Sequence, residues 1–261
     1  MNISIVKNTC KEVFKQPVSI VISVLFISLI FLLLFFTEFS FNENSIIKIT
    51  ILSFEINEVS FFLNVFLPDL LNIFLSGLFF LLLLLIVSIA IDFLADPITS
   101  ILVIKIFSRV KLLLSKIAGV LLAISVQMII LSLLIMLICF IKTGENLSSF
   151  LFWGTISFLS EIFICISLAF MLSMMSKNYS VIFLVCLSYY FLSSFIWVKF
   201  ADSELFISFI LKYIFFPLGL IIRNTRSLFL NDGNPIFILL SLTPLVIFIF
   251  WGTIIFNKKD L

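Results

Sequence analysis

The chain has 261 residues, of which 63% are hydrophobic and only 11% are charged. A soluble protein of this length cannot cover its surface with so few charges, so the composition indicates an integral membrane protein. The net charge of +2 is too small to indicate a nucleic-acid partner, and the absence of histidine excludes imidazole catalysis and histidine metal sites.

The first segment is predicted to be a short amphipathic helix on the membrane surface. Lys7, Lys11 and Lys15 recur every four residues on one helical face, and the helix should end at Gln16-Pro17. Residues 18–36 carry no charge and are long enough to cross a bilayer. A signal peptide is the competing interpretation, but no Ala-x-Ala cleavage site follows. We therefore predict a first transmembrane helix here.

Apolar segments long enough to cross the membrane recur along the chain. We expect an all-α integral membrane protein, a single domain over residues 1–261, with six transmembrane helices at residues 18–36, 70–91, 117–141, 150–175, 180–198 and 236–256. In the first connection, Ile47, Ile49 and Ile51 alternate with polar residues, which predicts a short strand.

Residues 199–235 are harder to assign. Their apolar stretch has the length of a seventh span, but Lys212 lies in its middle and Pro217 and Gly219 lie near its end. A seventh crossing would also place the C-terminal lysines outside the cell. We therefore expect re-entrant or interfacial helices before the sixth span.

The distribution of positive charge predicts the orientation. With six crossings, ten of the 16 lysines and arginines fall on the side of the N terminus: Lys7, Lys11, Lys15, Lys105, Arg109, Lys111, Lys116, Lys177, Lys258 and Lys259. Cytoplasmic loops carry the excess of positive charge, so both termini should be cytoplasmic in a multi-pass protein of the cell (inner) membrane.

Residues 92–119 are basic and partly apolar, and they connect the second and third predicted spans. Asp96-Pro97 is a typical helix start, with an acidic N-cap before a proline. Lys105, Arg109 and Lys116 then share one stripe, which predicts a surface helix that becomes a spanning helix beyond Lys116. Alternatively, these side chains only extend to lipid phosphates.

This connection resembles the segment between the second and third spans of ABC-2 type transporter permeases. Ser108-Arg109 and the spacing from Lys116 to Gly119 match the pattern of that family. The sequence departs from it at Ser115, where the family usually has glycine, and at residues 92–97, which replace a Glu-x-Gly-Thr run. The short basic ending of the chain and its six-span layout are also similar.

The resemblance implies a permease subunit of an ABC-type exporter. It implies a separate ABC ATPase subunit that binds ATP and docks at the cytoplasmic face, and a second permease chain, identical or related. This chain itself would bind no cofactor or metal and would have no catalytic residue. The residues expected at the ATPase contact are Asp92, Asp96, Lys105, Ser108, Arg109, Lys111 and Lys116.

Other classes of protein remain as alternatives. The seven glycines form no phosphate-binding loop, so an ATP-driven function needs a partner. A gradient-driven secondary transporter or channel would need ionisable groups facing one another at mid-membrane. A nonenzymatic assembly factor is a third class, and an intramembrane enzyme ranks last.

Glu161 is the only acid well inside a predicted span. A charge at that depth costs about 3 kcal/mol on insertion scales, so the carboxyl group should be neutral, paired or facing a cavity. It is either a lining or gating group of a pathway, with Gln127, or a protonated acid bonded to Ser157, Ser160 or Gln127 across a helix interface.

Overall fold

A computed structural model describes residues 2–35, 37–42, 45–51, 54–56, 66–95, 109–143, 148–200, 214–229 and 233–258. Within these ranges the chain forms eight α-helices: α1 (Ile3–Lys15), α2 (Pro17–Phe35), α3 (Leu67–Ala95), α4 (Arg109–Thr143), α5 (Ser148–Met175), α6 (Tyr179–Phe200), α7 (Phe216–Phe229) and α8 (Leu242–Lys258). A 3-10 helix, Pro235–Ser241, leads directly into α8.

Six of the helices are long and apolar enough to cross a membrane: α2, α3, α4, α5, α6, and α8 together with its preceding 3-10 helix. The described residues thus contain six candidate spans, the number that the sequence predicts. The third span differs in its start, because α4 is one continuous helix of 35 residues that already begins at Arg109. At about 50 Å it exceeds the apolar layer of a bilayer, so its first turns extend beyond that layer.

The connection between α2 and α3 contains a small antiparallel sheet. Its strands are β1 (Thr37–Asn42), β2 (Ser45–Ile51) and β3 (Phe54–Ile56), in the order β1-β2-β3. The strand predicted from the isoleucine alternation is confirmed as part of β2, whereas β1 and β3 were not predicted. The all-α expectation thus holds for the helical bundle, and among the described residues strands occur in this connection alone.

Helix α1 lies against the start of α4. Asn2 caps α1, since its side-chain oxygen accepts hydrogen bonds from the backbone N–H groups of Ser4 and Ile5. The chain turns at Gln16, and α2 begins at Pro17, where the missing N–H of proline costs nothing. The prediction of an amphipathic helix is confirmed, with Thr9 among its buried residues, whereas its position at the cytoplasmic face of the membrane stays a prediction.

Helix α5 lies at the centre of the bundle and is the most buried of the six spans. It packs against α3, α4, α7 and α8.

These contacts define two ends of the helical bundle. The "α1 end" holds α1, the start of α4 and the ends of α3, α5 and α8. The "sheet end" holds the end of α2, the starts of α3 and α5, and α7.

Helix α7 has 14 residues and is about 20 Å long, which is too short to cross a bilayer. It is joined to the 3-10 helix by a reciprocal pair, in which Asn224 donates to the Asn234 carbonyl and the Asn234 N–H donates to the Asn224 side chain, each at 3.0 Å. Within the described residues, one short helix, α7, thus precedes the sixth candidate span, which begins with the 3-10 helix. A re-entrant or interfacial position of α7 in the bilayer stays a prediction, and residues 201–213 lie outside the described residues.

Candidate polar site between α3, α5, α6 and α7

Glu161 lies near the middle of the span Leu151–Met175 and is only 2% exposed. One carboxylate oxygen accepts a short hydrogen bond from the Thr225 hydroxyl on α7. The other accepts from the Tyr190 hydroxyl on α6 at 3.3 Å. The Tyr190 ring is held in place by stacking on Phe79 of α3, with 3.9 Å between ring centroids. Four helices therefore position this one carboxyl group.

The Thr225 hydroxyl is the centre of the hydrogen-bond network. Its oxygen lies 2.7 Å from the Ser157 hydroxyl and 2.9 Å from the Ile221 carbonyl oxygen. A threonine hydroxyl has one proton and two lone pairs. It can therefore donate to an ionised Glu161, or accept from a protonated Glu161 and donate to Ile221. In both cases Ser157 can donate to Thr225, so the network accommodates either protonation state.

A cleft of about 560 Å³ reaches this network from the sheet end of the bundle. Asn72 and Ser76 of α3 line one side, and Arg223 and Arg226 of α7 line the other, with Glu161 also in its wall. Cavities of this size and mixed lining are typical of small-molecule sites. The buried carboxyl group thus belongs to an open cleft and not only to a sealed helix interface.

The rim of the cleft carries an exposed ion pair. Arg226 and Asp69 lie 3.2 Å apart, with side chains 60% and 43% exposed. Such surface pairs contribute at most about 1 kcal/mol. Arg223 is exposed on the same helix, and it adds a positive charge to the rim.

The expected partners of Glu161 were mostly wrong. Ser157 reaches it only through Thr225, and the Ser160 hydroxyl donates to the Ser157 carbonyl oxygen instead. Gln127 lies elsewhere, at the interface of α2 and α4, where its amide donates to Ser19 at 2.9 Å. Its buried carbonyl oxygen has no hydrogen-bond partner within the described part of the chain.

Sequence reasoning missed Tyr190 and Thr225. Tyr190 is a polar residue in the mostly apolar helix α6, and such residues usually serve helix packing. A usable signal was the polar run Arg223-Asn224-Thr225-Arg226, which interrupts an apolar segment. Four consecutive residues cover every side of a helix, so this run marks a segment of α7 that must meet polar groups or water on more than one side.

The residues predicted at the ATPase contact fall in different places. Asp92 is exposed at the end of α3, Lys111 is exposed in the first turns of α4, and Arg109 is the first residue of α4. Lys116 forms an ion pair with Glu12 of α1 at 2.9 Å. The other predicted contact residues lie outside the described residues: Asp96, Lys105 and Ser108.

Two of these residues share a second, smaller cleft at the α1 end. It has a volume of about 190 Å³, and Glu12, Asp92 and Lys116 are among its lining residues. The structure thus brings Asp92 near the first turns of α4, although 96–108 of the connection is not described.

The four cysteines are free. Cys10 lies outside the spans, and burial raises the pKa of its thiol above the ordinary value. The reactive thiolate is therefore disfavoured there. Across the described residues no group of three potential ligands could hold a metal ion.

Six long apolar helices, with short helices packed at both ends, define a multi-pass membrane protein. No protein-family model matches the sequence, and no curated protein does so either.

Proposed function

We propose that the chain is the permease subunit of an ABC-type exporter of the ABC-2 kind, located in the cell membrane with both termini in the cytoplasm. Two such chains, identical or related, would form the pathway. A separate ATPase subunit would bind ATP and drive the change between inward-facing and outward-facing states.

The proposal rests on the contacts between α1 and the first turns of α4. These turns belong to residues 92–119, which contain the resemblance to the ABC-2 family. The Asn2 N–H donates to the Ser115 hydroxyl at 2.9 Å, and Glu12 pairs with Lys116. A side-chain carbon added at Gly119 would lie 2.6 Å from Thr9 Cβ, so the two helices touch at the backbone. Helices α1 and α4 are therefore expected to move as one body.

A rigid body of this kind suits mechanical coupling. Helix α4 runs without a break from Arg109 across the bilayer, so a displacement of its first residues is transmitted along its whole length. Asp92 and Lys116 lie at the same end of the bundle, where an ATPase would contact the connection between α3 and α4.

Co-purification tests the proposal. The tagged chain should be co-expressed with the ATPase encoded by a neighbouring reading frame that contains a phosphate-binding loop. We expect the ATPase to co-purify, and we expect Arg109→Glu, or deletion of 96–111, to abolish this. Lys177→Glu in the connection between α5 and α6 is the matched control and should retain the ATPase. Retention in both docking variants, with normal folding, would refute the docking site.

A second candidate function is that of a gradient-driven transporter. It is favoured by Glu161, which is buried but lines a cleft, and whose hydrogen-bond network accommodates both the ionised and the protonated carboxyl group. Intramembrane carboxyl groups of this kind often carry protons or cations. The two functions differ in their energy source. In proteoliposomes, an ABC exporter needs the ATPase and ATP, whereas a secondary transporter is arrested by a protonophore and ignores ATP.

A further inference from the structure

The cleft offers a hydrogen-bond acceptor at its deep end. An ionised carboxylate has about four acceptor sites, and Thr225 and Tyr190 occupy two of those on Glu161. A ligand in the cleft can therefore donate to the remaining ones. A positively charged donor suits this place best, because an uncompensated charge is costly at mid-membrane.

The rim offers an anion site. Arg223 is exposed, lines the cleft and forms no ion pair with the described residues. Arg226 lies one helical turn further along α7 and is held only by its exposed pair with Asp69. A guanidinium group binds phosphate oxygens through two parallel hydrogen bonds, so these side chains favour a phosphate group.

The anion site and the carboxylate belong to the same small volume. Arg223 and Glu161 both line the same cleft of about 560 Å³, and Thr225, which is bonded to Glu161, lines it too. A ligand that contacts both sites therefore needs only a short linker between its negative and positive groups. Leu75, Phe158 and Ile222 supply apolar walls beside it.

We infer that this cleft binds a phosphate group joined by a short linker to a primary ammonium group, with the phosphate on Arg223 and the ammonium N–H groups on Glu161. The group can come from the headgroup of a membrane lipid or from a free phosphoamine. The further statement that this ligand is the transported substrate rests on the permease function proposed above. Ligand binding is measured on the isolated chain, whereas the function proposed above is tested by co-purification of an ATPase. Either experiment can therefore fail without affecting the result of the other.

The test compares two lipids with the same phosphate and the same positive charge, whose ammonium groups carry either three N–H donors or three methyl groups. The purified full-length chain in detergent is titrated with dioctanoyl phosphatidylethanolamine and with dioctanoyl phosphatidylcholine, whose quaternary ammonium has no N–H. We expect the ethanolamine lipid to bind about tenfold more tightly, as one charged hydrogen bond corresponds to a factor of that order. Glu161→Gln should reduce its affinity to that of the choline lipid.

Arg223→Gln is the second variant, and it alters an exposed side chain that does not endanger folding. It should weaken binding of the ethanolamine lipid about tenfold. Lys177→Gln removes a positive charge far from the cleft and should change neither affinity. Equal affinities of the two lipids for the unmodified chain, or unchanged binding in Arg223→Gln, would overturn the inference.

Free phosphoethanolamine distinguishes the two sources of the group. Competition with the ethanolamine lipid at comparable concentration would identify a soluble ligand. Retained lipid preference without competition would identify a lipid headgroup. Both results support the inferred chemistry.

Discussion

Glu12 and Lys116 form an ion pair at 2.9 Å across 104 residues of sequence, and it connects α1 to α4. The Lys116 side chain is only 11% exposed, whereas that of Glu12 is 51% exposed. A partly sheltered pair is screened less than a fully exposed one, although the exposed carboxylate limits its strength.

We expect Lys116→Gln to lower the free energy of unfolding by about 1 kcal/mol, because it removes the sheltered ammonium group and leaves the Glu12 carboxylate without this partner. Thermal unfolding in detergent measures this. The exchanged double variant, Glu12→Lys with Lys116→Glu, should recover part of the loss. A double-mutant cycle with no coupling energy would show that the pair contributes nothing.

Gly119 should not tolerate a side chain. Gly119→Ala places a carbon 2.6 Å from Thr9 Cβ and 2.9 Å from the Val6 carbonyl oxygen, so α1 must move away. We expect a destabilisation of about 1–3 kcal/mol, the usual range for overpacking.

Gly77 supplies the matched control for that variant. Among the described residues, nothing beyond the adjacent residues and the local helix backbone lies within 4 Å of a carbon added there, so Gly77→Ala should be neutral or stabilise the helix by up to about 1 kcal/mol. Equal effects of both alanine substitutions on the unfolding temperature would contradict close packing of α1 on α4.

Thr225→Val should destabilise the protein by about 1–3 kcal/mol, because it leaves one Glu161 oxygen and the Ser157 hydroxyl without their shared partner. Thr225→Ser keeps the hydroxyl group and removes only a methyl group, so it should retain most of the stability. If the valine and serine variants unfold at the same temperature, the hydroxyl network is not what holds α7 on α5.

The exposed pair between Arg226 and Asp69 should contribute little. Arg226→Gln is expected to change the free energy of unfolding by no more than about 0.5 kcal/mol, and high salt should reduce the difference further, because exposed charges are screened. If Arg226→Gln lowered the free energy of unfolding as much as Lys116→Gln, the ion pair at the rim of the cleft would stabilise the fold.

The orientation is also testable. In a cysteine-free background, Lys177→Cys should resist a membrane-impermeant maleimide added to intact cells, because the positive-charge distribution predicts a cytoplasmic position. Arg226→Cys, at the opposite end of the bundle, should be labelled. The reverse pattern would invert the topology and would place the cleft on the cytoplasmic side.

The sequence by itself determined the class of the protein, its six candidate spans and the amphipathic first helix. These features depend on hydrophobic length and on local periodicity, which act within one segment. The alternation of isoleucines likewise predicted a strand that belongs to β2. The remaining strands were missed, since strand pairing depends on neighbours that local composition does not reveal.

Only the tertiary structure decided which polar groups meet. Glu161 was recognised from its depth in a span, but its partners come from α6 and α7, 29 and 64 residues away along the chain. Gln127, which was expected as a partner of Glu161, bonds to Ser19 of α2 instead. The periodicity of a helix in the sequence does not specify how the helix is rotated about its axis or which helices lie beside it. Both depend on how all the helices pack together.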